Sequence, residues 1–288
     1  MSSLYRKLSY YGALMRVQKP IGFFLILWPT LMALWIAGQG TPNPSIVCIF
    51  ILGTWVMRSA GCVANDFADR GIDGAVTRTR DRVLPRKLVT EKEALGLLVG
   101  LFLVALMLVL QLNVLTMILS VFALALTLIY PFMKRYTHLP QVMLGAAFAW
   151  AVPMAFAAET NHIPIGAFLL FFATLIWTVA YDTEYAMVDR ADDLRIKVKS
   201  TAILFGKLDR FMIFACHIIA LLLFAIVGHQ FNLGKFYYLG VITSLVLIIY
   251  QQYLIKDRNP QLAFQAFLNN NAVGAVLFLG VMLDYMFD

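Results

Sequence analysis

The 288-residue chain is 61% hydrophobic and only 14% charged, with a mean hydropathy of +0.79. A water-soluble chain is about 45–50% apolar and about 25% charged, so this composition excludes a soluble globular domain and makes lipid the solvent. The net charge of +7 fits a chain that orients by its basic loops and meets anionic lipid, and it requires no nucleic-acid partner.

Residues 1–19 come first. Leu4, Leu8, Tyr11 and Met15 fall on one helical face with basic residues beside them, which predicts an interfacial helix lying on the inner leaflet. No cleavage site follows the first apolar run, so the segment reads as retained and not as a signal peptide. From residue 20 to 288 the chain reads as a single transmembrane domain. About nine apolar runs follow, near 20–38, 45–64, 94–111, 113–130, 140–158, 164–181, 211–229, 236–255 and 264–285. None alternates with period two, so the expected fold is an all-α integral membrane bundle of about nine transmembrane helices and not a β-barrel. Gln111 and Asn113 supply the polar break between the third and fourth runs.

With the N-terminus cytoplasmic, 21 of the 23 basic residues fall inside; only Arg58, within the second helix, and Lys235, in an outside loop, do not. Arg58 either snorkels or faces a polar cavity. Two inside loops, about 65–93 and 182–210, exceed what bundle connections need and hold 12 of the 16 acidic residues. Acid is concentrated there, and that points to chemistry.

The first patch runs from Asn65 to Asp73. Asn65, Asp69 and Asp73 are spaced i, i+4, i+8 and form one oxygen-bearing stripe on a continuing helix. The second runs from Asp182 to Asp193, where Asp182, Tyr185, Asp189 and Asp193 again share a face. Carboxylates without His or Cys select a hard cation, and Mg²⁺ is usually held by a few carboxylates together with substrate phosphates. Basic residues follow each stripe: Arg70, Arg78, Arg80 and Arg82, then Arg190, Arg195, Lys197 and Lys199. Acid followed by base suits a diphosphate bridged by Mg²⁺. The plain alternative is a pair of solvated, positively biased helix ends. The stripes follow the second and sixth helices, which predicts a parallel repeat of helices 1–4 and 5–8 plus a ninth. The three cysteines lie in apolar helices and predict no disulfide, and the scattered histidines predict no zinc site.

Four segments resemble the UbiA-type membrane prenyltransferases: Arg16-Val17-Gln18-Lys19-Pro20-Ile21-Gly22, Asn65 to Asp73, Tyr130-Pro131-x-x-Lys134-Arg135, and Asp182 through Gly206. The Lys-Pro-Ile-Gly and Asp-Thr-x-Tyr-Ala-Met stretches are similar to the branch that acts on 4-hydroxybenzoate in ubiquinone synthesis. Two places depart from that branch. Its first loop usually reads Arg-Pro-Leu-Pro-Ser-Gly where this chain has Arg82-Val83-Leu84-Pro85-Arg86-Lys87, and Lys197 stands where Gly is usual.

The resemblance implies ionisation of an allylic polyprenyl diphosphate and attack by an electron-rich ring. Asn65, Asp69 and Asp73, with Asp189 and Asp193 opposite, would hold Mg²⁺, and Asp69, Asp73 and Asp189 would be catalytic. Arg70, Lys134, Arg135 and Lys199 would hold the diphosphate. Arg16 or Arg135 would pair with the acceptor's carboxylate, Asp189 is the candidate for removing the proton, and the ring faces of Tyr130 and Tyr185 would stabilise the allylic cation. Lipid is the expected surrounding, and nothing calls for an obligate protein partner. The rival readings are a prenyltransferase for another aromatic or porphyrin acceptor and, from another class, a secondary transporter, which would place its ionisable groups at mid-membrane.

Overall fold

The computed structural model describes residues 3–287 and contains helices and turns with no strand among them. The helices are α1 (Ser3–Leu14), α2 (Ile21–Ala37), α3 (Pro44–Ala68), α4 (Glu91–Val109), α5 (Val114–Tyr136), α6 (Pro140–Ala149), α7 (Ala151–Thr160), α8 (Ile165–Ile196), α9 (Thr201–Phe205), α10 (Asp209–Gln230), α11 (Lys235–Leu254) and α12 (Pro260–Phe287). Residues 1 and 2, the start of the expected interfacial segment, and residue 288 lie outside the described residues.

Each of the nine apolar runs falls on a helix or on a helix with a break. By length and composition, eight of these units among the described residues reach across a bilayer; Ile21–Ala37 is apolar but shorter. The chain is a multi-pass membrane protein. Local sequence sets the boundaries. Asn43, Asn113 and Thr90 cap α3, α5 and α4 by accepting from Ser45, Thr116 and Glu93 backbone N–H groups at 2.9, 2.9 and 3.2 Å, and the Glu93 side chain closes the capping box on Thr90. The fifth run breaks at Trp150 into α6 and α7, because Pro153 has no N–H for the carbonyl of Ala149.

The second aspartate-rich stretch is not a loop. Helix α8 runs without interruption through Asp182, Asp189 and Asp193 to Ile196, 32 residues in all. At 1.5 Å per residue that is about 48 Å, well over a hydrocarbon core of about 30 Å, so its last turns project beyond the apolar slab. Polar residues lower hydropathy without ending a helix; no Gly or Pro stands between Ala167 and Ile196 to do so. The first stripe also differs from the expected continuous helix. Helix α3 stops at Ala68, Asp69 is its C-cap, and Asp73 opens a short 3₁₀ turn. The spacing survives because the Asp69 N–H donates to Asn65 O and the Asp73 N–H to Asp69 O, both at 2.9 Å.

Helix α8 is central, packed by α6, α10 and α12, while α2 sits against α7 and α12. Lipid removes the usual hydrophobic drive between helices, leaving close packing and interhelical hydrogen bonds. Gly145 supplies the first: a Cβ there would lie 2.8 Å from the Leu175 carbonyl of α8. Asn270 of α12 supplies the second, accepting from Trp177 Nε1 at 2.8 Å and donating to Glu184 at 3.0 Å. Helices α4 and α5 bury only two residues each, as lipid-facing helices do. At the basic end, α1 docks on α3 and α4 through Leu14 and Tyr11, and Lys7 and Tyr11 both bond Glu93.

Candidate active site

A cavity of about 1200 Å³ opens at the basic end and runs into the bundle. Its inner wall gathers Asn65, Asp69 and Asp73 from the end of α3 and its turn, Asp182, Tyr185, Asp189 and Asp193 from α8, Tyr130 and Lys134 from α5, and Lys199 beyond α8. The two stripes therefore meet across one space.

Asp69 is 1% exposed and receives a hydrogen bond from the Lys134 ammonium on the same oxygen that Asn65 Nδ2 approaches at 3.2 Å. Its other oxygen, Oδ1, is buried with no partner among the described residues. Burial pushes the Asp69 carboxyl above the ordinary carboxylate value, against the pull of Lys134. An orphaned, buried carboxylate oxygen on a cavity wall is a place for a cation. The donor set of carboxylates and one amide, with no His or Cys, fits a hard metal. Among the described residues no three acidic or imidazole side chains converge into a closed cage. A metal here would therefore complete its shell with substrate phosphate and water.

Cations balance the remaining acids. Arg82 Nη1 reaches Asp73 at 2.8 Å and Asp66 at 3.0 Å, and Arg16 Nη2 straddles Asp66 at 2.7 and 2.9 Å. Arg78 donates through Nε to both oxygens of Asp189, at 2.9 and 3.0 Å, with its guanidinium 4.7 Å from the centre of the Tyr185 ring. Burial alone would lower the Arg78 pKa, but the Asp189 bond and the charges of Tyr185, Asp189 and Asp73 together outweigh it and hold the group above its ordinary value. The Thr77 N–H adds a bond to Asp192 at 2.8 Å, so the first loop is fastened to α8.

Some expected roles do not survive this geometry. Arg70 and Arg135 do not line the cavity: Arg70 bonds the Phe67 carbonyl and Glu91, and Arg135 bonds the Ala68 carbonyl. Both tie down the end of α3. Arg16 lines the cavity, yet Asp66 takes its guanidinium. Of the basic residues after the second stripe, Arg190 holds Asp209 and Arg195 pairs with Asp192, whereas Lys199 reaches the wall while bonding the Tyr136 carbonyl at 3.0 Å. Two residues gain weight. Arg58 lines the cavity inside the membrane span and pairs with no carboxylate among the described residues; it bonds Cys62 Sγ and, at 3.4 Å, the Met15 carbonyl. Its intramembrane position is the signal that sequence offered. Asp182 sits two turns deeper than Asp189, hydrogen-bonded to Gln141 and near Tyr130, with no ion-pair partner among the described residues.

The sequence profile of the UbiA prenyltransferase family matches residues 26–278. The chain belongs to that family. Proteins called 4-hydroxybenzoate octaprenyltransferase in Citrobacter koseri and Escherichia fergusonii are each 54% identical to it, over 97% of this chain and 97% and 96% of their own. Among solved structures, a UbiA homologue from Aeropyrum pernix aligns at a TM-score of 0.80 with 23% identity, over 90% of this chain and 97% of its own. A UbiA homologue from Archaeoglobus fulgidus, solved with geranyl diphosphate and Mg²⁺, aligns at 0.70 with 15% identity, over 96% of this chain and 99% of its own. These structures share the fold. Membership in a prenyltransferase family settles the choice against a transporter.

Proposed function

We propose that this chain transfers a polyprenyl group from polyprenyl diphosphate to the ring of 4-hydroxybenzoate in ubiquinone biosynthesis, with Mg²⁺, at the cytoplasmic face of a bacterial inner membrane. The observation that carries this reading is the single cavity in which Asn65, Asp69 and Asp73 face Asp189 and Asp193 beside Lys134 and Lys199. The relatives at 54% identity, named for the same acceptor, support the choice of 4-hydroxybenzoate. The basic end of the bundle faces the cytoplasm by the excess of Lys and Arg it carries.

Asn65, Asp69, Asp73, Asp189 and Asp193 are the residues that would hold Mg²⁺, which when bound neutralises charge on the departing diphosphate. Lys134, Lys199 and Arg78 supply donors to the diphosphate oxygens; Lys134 and Arg78 exchange their carboxylate partners for phosphate. As the allylic C–O bond breaks, Tyr130 and Tyr185 turn ring faces to the allylic carbon, each stabilising positive charge by about 0.5–2 kcal/mol. The ring carbon beside the phenol then forms the new C–C bond, and its proton passes to Asp182, whose carboxylate forms no ion pair among the described residues. The deep cavity keeps water from the cation. Arg58, which lines the cavity and pairs with no carboxylate among the described residues, takes the acceptor's carboxylate in preference to Arg16, which holds Asp66, and Arg135, which does not line the cavity.

Mass spectrometry of the product formed from 4-hydroxybenzoate and prenyl diphosphates, with and without Mg²⁺, tests the reading: a Mg²⁺-dependent prenylated hydroxybenzoate is expected, and its absence at every tail length would overturn it. Arg58→Ala is expected to raise the KM for 4-hydroxybenzoate roughly 10–100-fold, the equivalent of about 1.5–3 kcal/mol for a charged hydrogen bond, with the KM for prenyl diphosphate unmoved. An unchanged KM for the acid would remove Arg58 from the site.

A further inference from the structure

Four polar side chains that the chemistry does not use lie together in the membrane-spanning part of the bundle. Met187, Ile213, Leu254 and Ala266, from α8, α10, α11 and α12, belong to one buried apolar cluster near the basic end. One helical turn farther from that end, on the same faces, stand Glu184, His217, Gln251 and Asn270, one from each helix. All four are fully buried, and none of them lines the active-site cavity. Farther still along three of the helices, Trp177, Phe224 and Leu277 belong to the main apolar core. The four therefore form a polar layer closed by apolar layers on both sides.

Asn270 is the hub of the layer. Its amide donates to Glu184 Oε2 at 3.0 Å and accepts from Trp177 Nε1 at 2.8 Å, and His217 stands beside it from α10. Gln251 Nε2 donates to Asn269 at 3.0 Å. Four buried atoms remain without a hydrogen-bond partner among the described residues: Glu184 Oε1, Gln251 Oε1 and both ring nitrogens of His217. Bulk water does not reach such atoms in a bilayer, so they must be satisfied inside the bundle. Their inventory matches a small ligand. Glu184 and Gln251 offer acceptors, and a neutral imidazole offers one donor and one acceptor. A water molecule that donates to the two oxygens and accepts from the imidazole N–H makes about three hydrogen bonds, as buried waters do.

We propose that Glu184, Gln251 and His217 enclose an ordered water, and that this hydrated layer fixes α12 on α8 so that Glu184 is a positioning residue for Tyr185. The positioning role rests on the reading of the chain as a prenyltransferase in which Tyr185 faces the allylic cation. Tyr185 follows Glu184 directly, and its ring lies 4.8 Å from that of Phe267, one turn before Asn270. The Glu184–Asn270 bond thereby sets where the Tyr185 ring meets its support. The next residue, Asn271, accepts from Trp28 of α2 at 2.8 Å and lines the cavity, so the turn of α12 anchored by the layer also forms part of the cavity wall.

The first test is a crystal structure of the unsubstituted protein, grown from lipid, at a resolution that shows ordered water. Density for a water within hydrogen-bonding distance of Glu184 Oε1, Gln251 Oε1 and a His217 nitrogen is expected. A direct Glu184–His217 hydrogen bond with no density between them, or density that appears only with added Na⁺, overturns the proposal. The second test is kinetic, with geranyl diphosphate and 4-hydroxybenzoate in phospholipid nanodiscs. Glu184→Leu removes the partner of Asn270 and is expected to lower kcat about 2–30-fold, the range that one aromatic face on a cation supplies, with the KM for geranyl diphosphate unmoved. Glu184→Gln keeps an oxygen for the Asn270 amide and is expected to restore kcat. An unchanged kcat in Glu184→Leu, an equal loss in Glu184→Gln, or a rise in KM in place of a fall in kcat overturns the positioning role. If Glu184→Leu does not fold, the density and the turnover of Glu184→Gln still decide. If the unsubstituted protein forms no product with any prenyl diphosphate, the transferase reading fails, and the density tests the water independently of that result.

Discussion

The two aspartate patches meet in one cavity but are built by opposite means. The first is made where a helix ends: α3 stops at Ala68, and the chain turns back over its own acids, bringing Arg82 to Asp66 and Asp73. The second is made by a helix that refuses to end, with Asp182, Asp189 and Asp193 spaced along α8. The first patch also supplies the second with its cation, since Arg78, from the first loop, holds Asp189. A folded-back segment can place several charges within a few ångströms of one another, whereas a straight helix gives a fixed row and must borrow its counter-charges. The half-site on α8 is therefore rigid by itself, and the other half is adjustable.

The largest test removes one carboxylate from each half. Asp69→Ala and Asp189→Ala are each expected to lower kcat about 10²–10³-fold, with the protein still monodisperse by size-exclusion chromatography. Equal losses make the halves equal partners; near-normal turnover in either variant breaks the pairing. Next in size is a test of how each half keeps its shape. Ala191→Pro interrupts the exposed part of α8 and is expected to cost about 3 kcal/mol of helix stability, read as a lower unfolding temperature together with lost turnover. Gly74→Ala, in the first patch's turn, is expected to change neither, because a Cβ there meets nothing within 4 Å. If the proline is tolerated and the alanine is not, the contrast between rigid and adjustable halves is reversed.

Much of this was legible in the amino-acid sequence, and the failures have physical causes. The helical runs, the polar break at Asn113 and the meeting of the two stripes followed from apolar length and from i, i+4 spacing. The second loop did not follow, because falling hydropathy marks where lipid ends and not where a helix ends; at α8 only Gly or Pro would have ended it. Cation partners were not legible either. Arg70 follows Asp69 directly in sequence, yet α3 turns it onto Phe67 and Glu91, while Lys134, from α5, takes the carboxylate. Sequence proximity favours a neighbour, but the helix face decides.

The two departures from the family pattern illustrate the same point on a smaller scale. Lys87 and Lys197 stand where Gly is usual, and both adopt left-handed backbone, with φ of 54° and 58°. One lies in the first loop and the other is the C-cap of α8, so each half of the site carries one such position. Lysine there costs about 1 kcal/mol that glycine would not. Lys87→Gly and Lys197→Gly are each expected to stabilise the fold by about 0.5–1 kcal/mol, seen as a small rise in unfolding temperature with turnover unchanged. This is the smallest effect, and a fall in stability at Lys197 alone would show that its side chain contributes more at the end of α8 than its backbone costs.

The central claim is that both patches together grip a magnesium-bound diphosphate. Calorimetric titration of geranyl thiodiphosphate, a poorly ionising analogue, into the reconstituted protein measures this directly, with and without Mg²⁺. Strong Mg²⁺-dependent binding is predicted for the unsubstituted chain, and its loss in Asp69→Ala and in Asp189→Ala alike. Binding that ignores Mg²⁺, or that survives intact when either aspartate is removed, would contradict it.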